Sequence, residues 1–286
     1  MTYEFIDKQR QQFPVARLCS AFDVCESGYY AWRQRPVSAR AKANQELLAR
    51  IRAIHAHSRR TYGSPRVHAE LRAQGFCCNR KRVARLMRAH GLRAKMSKRY
   101  RGTTMSKHDL PVAPNRLRRE FWAERANEKW VGDITYIPTA EGWLYLAAEM
   151  DLHSRAIVGW SMSDDLSSTL TQDALQMAIA RRQPDAGLLH HSDRGVQYAS
   201  ADYQALLSAH QMVPSMSGRG NCYDNAAMES FFGTLKSELV NGQRYRTRLE
   251  ARREVFWYIE VFYNRQRRHS RLGYLSPAEF ERQSMS

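Results

Sequence analysis

The chain has 286 residues, of which 43% are hydrophobic, and its 45 Lys and Arg against 28 Asp and Glu give a net charge of +17. This composition is typical of a globular protein, and no apolar run reaches the roughly 18–20 residues that a membrane helix needs. The five cysteines form no CxxC pair, and the N-terminal segment lacks an apolar stretch. We therefore expect a cytoplasmic protein without a disulfide framework or a membrane partner.

The charge is unevenly distributed. Residues 1–120 carry 27 basic and 8 acidic side chains, residues 121–240 carry 8 and 15, and residues 241–286 carry 10 and 5. A strongly basic region favours a phosphate-backbone partner, because each neutralised phosphate releases condensed counterions. The acidic middle favours carboxylates that hold a cation. A basic surface that serves only solubility is the alternative.

Two all-α modules are predicted before a basic linker at residues 97–121. In residues 1–40, the apolar segment Val15–Phe22 and a second helix capped by Ser27 indicate a short helix-turn-helix-like segment. In residues 41–96, Leu47, Leu48, Ile51 and Ile54 lie on one face of a first helix. The scattered histidines and the adjacent cysteines of this region lack zinc-ligand spacing.

The second and third helices of this module complete a helix-turn-helix. Ser64 is the predicted N-cap of the second helix, with Pro65 at its first position, and Asn79 caps the third. We expect the third helix to enter the DNA major groove, whereas a helical hairpin with a solvated basic face is the alternative. The basic side chains on its outer surface are Lys81, Arg82, Arg85 and Arg88.

Residues 122–240 are predicted to form an α/β domain. Three strands in a meander precede alternating helices and strands, an order typical of a mixed sheet with helices on both faces. The predicted elements are strands at Lys129–Ile137, Gly142–Met150 and Arg155–Met162, a helix at Ser167–Arg181, a strand at Gly187–His191, a helix at Ser200–His210, a strand at Gln211–Pro214, a loop at Ser215–Tyr223 and a helix from Asp224 to about Val240.

Residues 241–286 are predicted to form a helical and basic extension. A helical stripe of Val255, Phe256, Ile259 and Phe262 is predicted to pack inward. A basic stretch follows, for which we expect contact with DNA or with a second subunit. Its members are Arg265, Arg267, Arg268, His269 and Arg271.

Three carboxylates stand out in the α/β domain. Asp133 lies in the most apolar strand, Asp193 follows the strand at Gly187–His191, and Glu229 lies on the helix that begins at Asp224. Carboxylates on two strands and a helix can converge on two Mg²⁺ ions, with Asp133 shared between them and the other two each completing one site. Taken singly, each carboxylate also fits a structural role, as a strand-edge charge, a turn cap or a surface helix position.

The spacing of these residues carries a family resemblance. Thirty-five residues separate Asp193 from Glu229, and Lys236 follows the glutamate by seven positions. This pattern resembles the DD(35)E signature of transposases and retroviral integrases. The flanking segments WVGDITYI, HSDRGVQYAS, SMSGRGNCYDNAAMESFFGTLKSEL and YNRQRRHSRLGYLSPAEF are similar to the second-frame (OrfB) product of insertion-sequence-three family transposases.

The resemblance implies a ribonuclease-H-like catalytic core with a mixed five-stranded sheet. It also implies two Mg²⁺ ions per active site, with Mn²⁺ as a substitute, and cleavage and joining of DNA by transesterification. The implied partners are insertion-sequence ends and target DNA, further copies of the chain on DNA, and the first-frame (OrfA) protein, in a bacterial cytoplasm near the nucleoid. A hydrolytic nuclease and a non-catalytic DNA-binding regulator are the alternatives.

DNA contacts near the catalytic carboxylates are expected from the same region. Lys236 shares a helix face with Glu229 and is expected to hold a DNA phosphate. The loop before Asp224 is rich in glycine and offers polar and aromatic side chains to a nearby strand. The predicted DNA-binding residues of this region are Lys236, Asn225, Arg219, Tyr223 and Arg194.

Overall fold

The computed structural model describes residues 2–95, 110–218 and 222–284. The chain divides into two compact units, of which the first ends at Arg52 and the second begins at Ala53. The predicted DNA contact at Arg219 and the larger part of the predicted linker lie outside the described residues. Within the described residues, no helix is long and apolar enough to cross a membrane.

The first unit opens with three short helices, α1 (Thr2–Gln9), α2 (Val15–Ala21) and α3 (Glu26–Gln34). Their buried contacts include Ile6, Leu18 and Tyr29, and the Tyr29 hydroxyl donates to Asp7 Oδ1 at 2.8 Å. The helix predicted within Val15–Phe22 is confirmed. The predicted Ser27 cap is wrong, because α3 already begins at Glu26 after Cys25.

Helices α4 (Ala39–His57), α5 (Ser64–Ala73) and α6 (Arg80–Ala89) follow. The predicted cap at Asn79 is confirmed, since its side chain accepts the Lys81 backbone N–H at 2.8 Å. The predicted cap at Ser64 is wrong, because Gly63 is the extended residue before α5. The side chains of the predicted α4 face, Leu47, Leu48, Ile51 and Ile54, are buried. Those that α5 and α6 bury are Val67, Leu71, Val83, Leu86 and Met87.

The second unit contains a five-stranded mixed sheet of order β3-β2-β1-β4-β5. The β1–β2 and β2–β3 pairs are antiparallel, whereas β4 is parallel to both β1 and β5. The predicted mixed sheet is therefore confirmed. The strands are β1 (Lys129–Thr139), β2 (Gly142–Asp151), β3 (Ile157–Ser163), β4 (Leu189–Ser192) and β5 (Val213–Met216).

Helices pack against the sheet. Helix α7 (Ser168–Arg182) packs closely on β3 at Gly159, where an added Cβ would collide with the Ala174 carbonyl oxygen. Any larger side chain there would push α7 off the sheet. Helices α8 (Val196–Ala199) and α9 (Ala201–Ala209) follow β4 in the chain and pack around a core that includes Trp130 and Tyr203.

The helix predicted from Asp224 to about Val240 has three parts. It begins as a 3₁₀ turn at Cys222–Asn225, continues as α10 (Ala226–Leu235), and ends as a π-helical turn at Lys236–Val240. The residues between Glu229 and the end of α10 keep regular α-helical spacing. The direction in which Glu229 points therefore depends on α10 alone.

The C-terminal extension contains α11 (Arg248–Phe256), a π-helical segment at Trp257–Tyr263, a 3₁₀ turn at Ser270–Leu272 and α12 (Pro277–Ser284). Val255, Ile259 and Phe262 are buried as predicted. Phe256 is 50% exposed, so its predicted inward packing is wrong. A residue next to Val255 is rotated by about 100° around the helix axis, which takes Phe256 off the buried stripe.

Candidate active site

The register of the parallel strands places the two aspartates side by side. The β1–β4 pairing ends with Val131 opposite His191, and each aspartate lies two residues beyond that last pair. Asp133 remains within β1, where it accepts the Ile134 backbone N–H at 2.8 Å. Asp193 follows β4 and accepts the Gly195 backbone N–H at 2.8 Å. Both carboxylates are half-buried and lie towards the carboxyl ends of these two parallel strands, as predicted.

Helix α10 brings the glutamate to the same edge. The Asn225 side-chain amide donates to the Gly132 carbonyl oxygen at 3.1 Å, which ties the start of α10 to the residue before Asp133. Met228, Phe231 and Leu235 are buried and hold the helix against the protein. Glu229 is exposed on another face of the helix, where its carboxylate can reach ligands.

Asp133 lies close enough to the other two acids for their charges to act on it. Burial and the neighbouring Asp193 and Glu229 carboxylates raise the pKa of Asp133 well above its usual value, while Lys236 opposes this rise. Glu229 is exposed as a residue, yet packing around its carboxyl group raises the pKa of Glu229. Like charges held together in this way are costly unless a cation joins them.

The donor set fits divalent cations of the Mg²⁺ type. Carboxylate oxygens are the hard ligands that Mg²⁺ prefers, and water and substrate phosphates complete its shell. Among the residues that the structure describes, no group of three or more His, Cys, Asp or Glu side chains converges on one metal position. A two-ion arrangement needs only two carboxylates at each ion, with Asp133 common to both.

Lys236 lies beside this acidic cluster and is 7% exposed. Its Nζ is 4.5 Å from the centroid of the Tyr136 ring, a cation–π contact. Burial lowers the pKa of Lys236 to about 8, although Asp133 favours its charged form. The charges of Lys236 and Asp133 act on each other, so the lysine offsets part of the repulsion among the carboxylates. The sharing of one helix face by Lys236 and Glu229 stays a prediction.

The loop before α10 is anchored through Asp224. This buried carboxylate accepts hydrogen bonds from Asn115 Nδ2 at 2.9 Å, from Arg119 Nε at 2.8 Å and from the Gly218 backbone N–H at 2.8 Å. Burial opposes ionisation, but the hydrogen bonds from Arg119 and Gly218 lower the pKa of Asp224. The end of the predicted linker therefore holds the start of the helix that carries Glu229.

The predicted DNA contacts in this region occupy different environments. Tyr223 is 67% exposed, with the Arg119 guanidinium 5.8 Å from its ring. Arg194 is half-buried and donates to the Ser217 carbonyl oxygen. Asn225 is buried, and its Oδ1 has no hydrogen-bond partner among the residues that the structure describes. Its amide serves the internal contact with Gly132, so contact of Asn225 with DNA stays a prediction.

The basic side chains of α6 and of the C-terminal extension also differ. Lys81, Arg85 and Arg88 are exposed and Arg82 is half-buried, so α6 presents a cationic surface as predicted.

Part of the predicted basic stretch of the extension is used internally. Arg267 is 4% exposed and donates to both oxygens of Glu238 at 2.8 and 2.7 Å. Arg268 pairs with Glu70 at 2.7 Å and with Glu279 at 2.9 Å. The expectation of DNA or subunit contact is therefore corrected for these two residues, because their charges are already compensated within the chain.

One buried network was missed by sequence analysis. Glu149, His190 and Tyr203 come from β2, β4 and α9 and are at most 1% exposed. His190 Nε2 lies 2.9 Å from Glu149 Oε2, and the Tyr203 hydroxyl lies 3.2 Å from Glu149 Oε1. The signal that could have found it is the glutamate inside the apolar run of β2, since a buried carboxylate requires partners.

Family comparisons agree with this architecture. Residues 123–222 and 229–285 match two integrase core domain families, and residues 42–100 match an HTH-like domain. The fold and the matched families define the chain as a transposase or integrase with a ribonuclease-H-like core. The helix-turn-helix match implies DNA as its partner.

Individual relatives make the assignment narrower. The chain is 46% identical over 288 residues to transposase InsF for insertion sequence IS3A of Escherichia coli, with 100% of both chains covered. It is 47% identical over 263 residues to an insertion element IS600 31 kDa protein of Shigella sonnei, covering 92% of this chain and 97% of that one. The chain belongs to the IS3 family of transposases.

Solved structures include the HTLV-2 integrase catalytic core domain in complex with magnesium. It is 16% identical, covers 56% of this chain and 99% of that chain, and has a TM-score of 0.43.

Proposed function

We propose that this transposase cleaves DNA at the 3′ ends of its insertion sequence and joins those ends to target DNA. The observation that supports this most strongly is the proximity of Asp193 and Glu229 to Asp133, whose pKa is raised by burial and by those two charges. Neighbouring carboxylates favour a divalent cation that offsets their repulsion, and DNA phosphates can complete its shell.

The three carboxylates are assigned the binding of two Mg²⁺ ions, with Mn²⁺ as a substitute. When bound, the ions supply charge stabilisation for an in-line phosphoryl transfer. Asp133 and Asp193 are fixed by backbone N–H groups of Ile134 and Gly195, so their oxygens are oriented before substrate binds. Glu229 approaches from the helix and completes the donor set.

The chemistry consists of two phosphoryl transfers. In the first, a water oxygen attacks the phosphorus at the insertion-sequence end and loses a proton to solvent, while the 3′ oxygen leaves and takes up a proton. In the second, that 3′-hydroxyl attacks a target phosphodiester and loses its proton to solvent, while the target's own 3′ oxygen is displaced and takes up a proton. The proposed role of Lys236 is to hold a DNA phosphate in register and to offset the charge of Asp133.

DNA contacts are proposed for two surfaces. The basic face of α6 is assigned backbone contacts in or beside the major groove. The loop before α10 and the turn after β4 are assigned contacts with the strand being cut. The residues involved are Lys81, Arg82, Arg85 and Arg88 on the first surface and Tyr223, Asn225, Arg219 and Arg194 on the second.

Further copies of the chain and the first-frame protein complete the proposed assembly. Joining two insertion-sequence ends to one target needs more than one active site, which favours a homo-oligomer on DNA. The first-frame (OrfA) protein, or a fusion with it, is proposed to contribute recognition of the ends. Action on bacterial DNA places the protein in the cytoplasm.

Assays with pre-cut and uncut insertion-sequence end DNA distinguish this function from that of a hydrolytic nuclease or a non-catalytic regulator. Wild-type protein with Mg²⁺ is expected to give 3′-end cleavage with uncut DNA and strand-transfer products with pre-cut DNA. A nuclease would give only hydrolysis products, and a regulator would bind DNA and leave it intact. Asp185→Asn, at an exposed loop position, is the matched control for Asp133→Asn and is expected to keep both activities.

A further inference from the structure

A cavity of about 150 Å³ lies behind α10. Ala227, Ser230, Phe231 and Thr234 line it from one face of that helix. At about 100° per residue, Glu229 points to the opposite face. The cavity is therefore separate from the candidate active site, although one helix borders both.

The lining of the cavity is cationic. It includes Arg66, Arg155, Arg267 and Arg271 and no acidic side chain. Glu238 compensates Arg267 directly and lies 3.6 Å from Arg66.

Arg155 and Arg271 have no such direct partner, although the Asp151 charge favours the charged form of Arg155. Both donate to the Phe121 carbonyl oxygen, at 2.6 and 2.9 Å, and within the described part of the chain neither pairs with a carboxylate. A carbonyl shared by two guanidinium groups neutralises neither charge, so the cavity retains an excess of positive charge.

Within residues 2–95, 110–218 and 222–284, two buried nitrogen atoms on the cavity wall have no hydrogen-bond partner. Arg155 and His269 are 8% and 9% exposed, and Arg155 Nε and His269 Nε2 are both unpartnered. Arg155 also has a left-handed backbone with φ of +62°, a costly conformation for a residue with a long side chain. Burial and Arg271 lower the pKa of Arg155 to about 10. A bound anion would supply the missing partner of this buried, strained arginine.

The cavity has an entrance and room for more than water alone. Ser230, Ser270 and Arg271 are exposed at its rim, while Arg155 and Arg267 are buried behind them. Its volume corresponds to about five water molecules at roughly 30 Å³ each. Water can satisfy the donors but not the charge, whereas a tetrahedral oxyanion satisfies both.

We propose that this cavity binds a phosphate group, supplied either by the DNA backbone or by free phosphate. The guanidinium groups of Arg155 and Arg271 are the principal ligands, and the rim hydroxyl groups are secondary donors. The site does not depend on the metal-binding carboxylates or on the proposed chemistry.

Thermal unfolding of the full chain in metal-free buffer tests the site. Inorganic phosphate is compared with chloride at matched ionic strength for wild type, Arg155→Gln, Arg271→Gln and the control Arg265→Gln. Arg265 is exposed and is not part of the cavity lining. Phosphate at about 100 times its Kd is expected to raise the Tm of wild type and control by about 5 °C. Both cavity variants are expected to lose this rise.

Arg271→Gln keeps the test decisive if Arg155→Gln does not fold, because Arg271 lies at the exposed rim. A phosphate effect no larger than that of chloride, or an equal effect in Arg271→Gln and wild type, would overturn the proposal.

A DNA arm identifies the source of the phosphate. If DNA supplies it, Arg271→Gln lowers the magnitude of the log-affinity against log-salt slope for duplex DNA by about 1. If free phosphate is the ligand, that slope is unchanged while the thermal effect is lost. Both results support the site, and neither requires strand-transfer activity, so failure of the proposed chemistry is recognised separately.

Discussion

Two carboxylates on the same pair of strands have opposite surroundings. Asp133 of β1 is paired with Ala148 of β2, and the adjacent pair joins Gly132 to Glu149. Glu149 is 1% exposed and is bonded to His190 and Tyr203. Asp133 is half-buried and faces other carboxylates. Neighbouring positions in one sheet thus hold one acid bonded within a buried network and one acid that faces like charges, which Lys236 offsets only in part.

This difference separates stability from function. A buried acid with hydrogen-bond partners contributes to one defined packing, whereas clustered acids cost stability until a cation binds. Gly132 makes the contrast possible, since a Cβ there would lie 2.7 Å from both Glu149 carboxylate oxygens. Residue type alone therefore does not define the role of an acid in this sheet; its partners do.

The largest effect is expected on strand transfer when Asp133 is replaced. Asp133→Asn is expected to reduce strand transfer by at least about 100-fold, because the donor shared by both proposed ions is lost. Its Tm without metal is expected to equal or exceed that of wild type, since repulsion is relieved. Gel assays of strand transfer and DNA binding check this, with Asp185→Asn as control; near-wild-type transfer would remove Asp133 from the mechanism.

Replacement of Glu149 is expected to lower the free energy of unfolding, in contrast to replacement of Asp133. Glu149→Leu should lower the free energy of unfolding by about 3 kcal/mol, because buried His190 and Tyr203 lose their partner. Urea denaturation measures the loss, and Glu124→Leu at an exposed position should change it by less than about 0.5 kcal/mol. Equal stability of the two variants would contradict a structural role for Glu149.

Asp224 is a second acid with hydrogen-bond partners, and its contribution to the free energy of unfolding is expected to depend on pH. Asp224→Asn should lower the free energy of unfolding by about 2 kcal/mol at neutral pH, since charge-assisted hydrogen bonds are lost. Its folded-state pKa lies below 3.8, so its contribution is present above that pH and disappears as the pH falls through the folded-state pKa. Denaturation curves of wild type and variant should therefore converge in acid. A constant difference at every pH, or a difference equal to that of the exposed control Asp173→Asn, would argue against this role.

The smallest effect is expected at the link between helix and strand. Asn225→Ala removes the hydrogen bond to the Gly132 carbonyl oxygen and should cost about 1 kcal/mol of unfolding free energy. Because this contact positions α10 beside Asp133, strand transfer should fall by about 10-fold, while the control Asn241→Ala at an exposed position keeps its activity. Unchanged strand transfer in Asn225→Ala would show that α10 is positioned by its buried face alone.

Local signals in the sequence predicted much of the fold. Strand and helix patterns, the Asn79 cap and the helical stripes depend on neighbours within a few residues, so they are visible in the chain itself. The spacing of Asp193 and Glu229 likewise pointed to a common site. The Ser64 and Ser27 caps failed because a residue suited to capping lay one or two positions inside the actual helix.

Long-range partners could not be predicted in the same way. Arg267 was expected to face DNA or another subunit, yet its partner Glu238 lies 29 residues away. His190 and Glu149 are 41 residues apart. Nothing in the local pattern distinguishes a basic residue that meets a buried acid from one that meets solvent. That distinction depends on how the helices pack after the sheet has formed.

Binding of Mn²⁺ in the presence of pre-cut end DNA tests the central claim most directly. Electron paramagnetic resonance is predicted to show two spin-coupled Mn²⁺ ions per active site in the wild-type complex and loss of the coupled pair in Asp133→Asn. The same coupled signal in Asp133→Asn and wild type, or no bound Mn²⁺ in the active wild-type complex, would contradict the assignment of Asp133, Asp193 and Glu229 to a two-ion site.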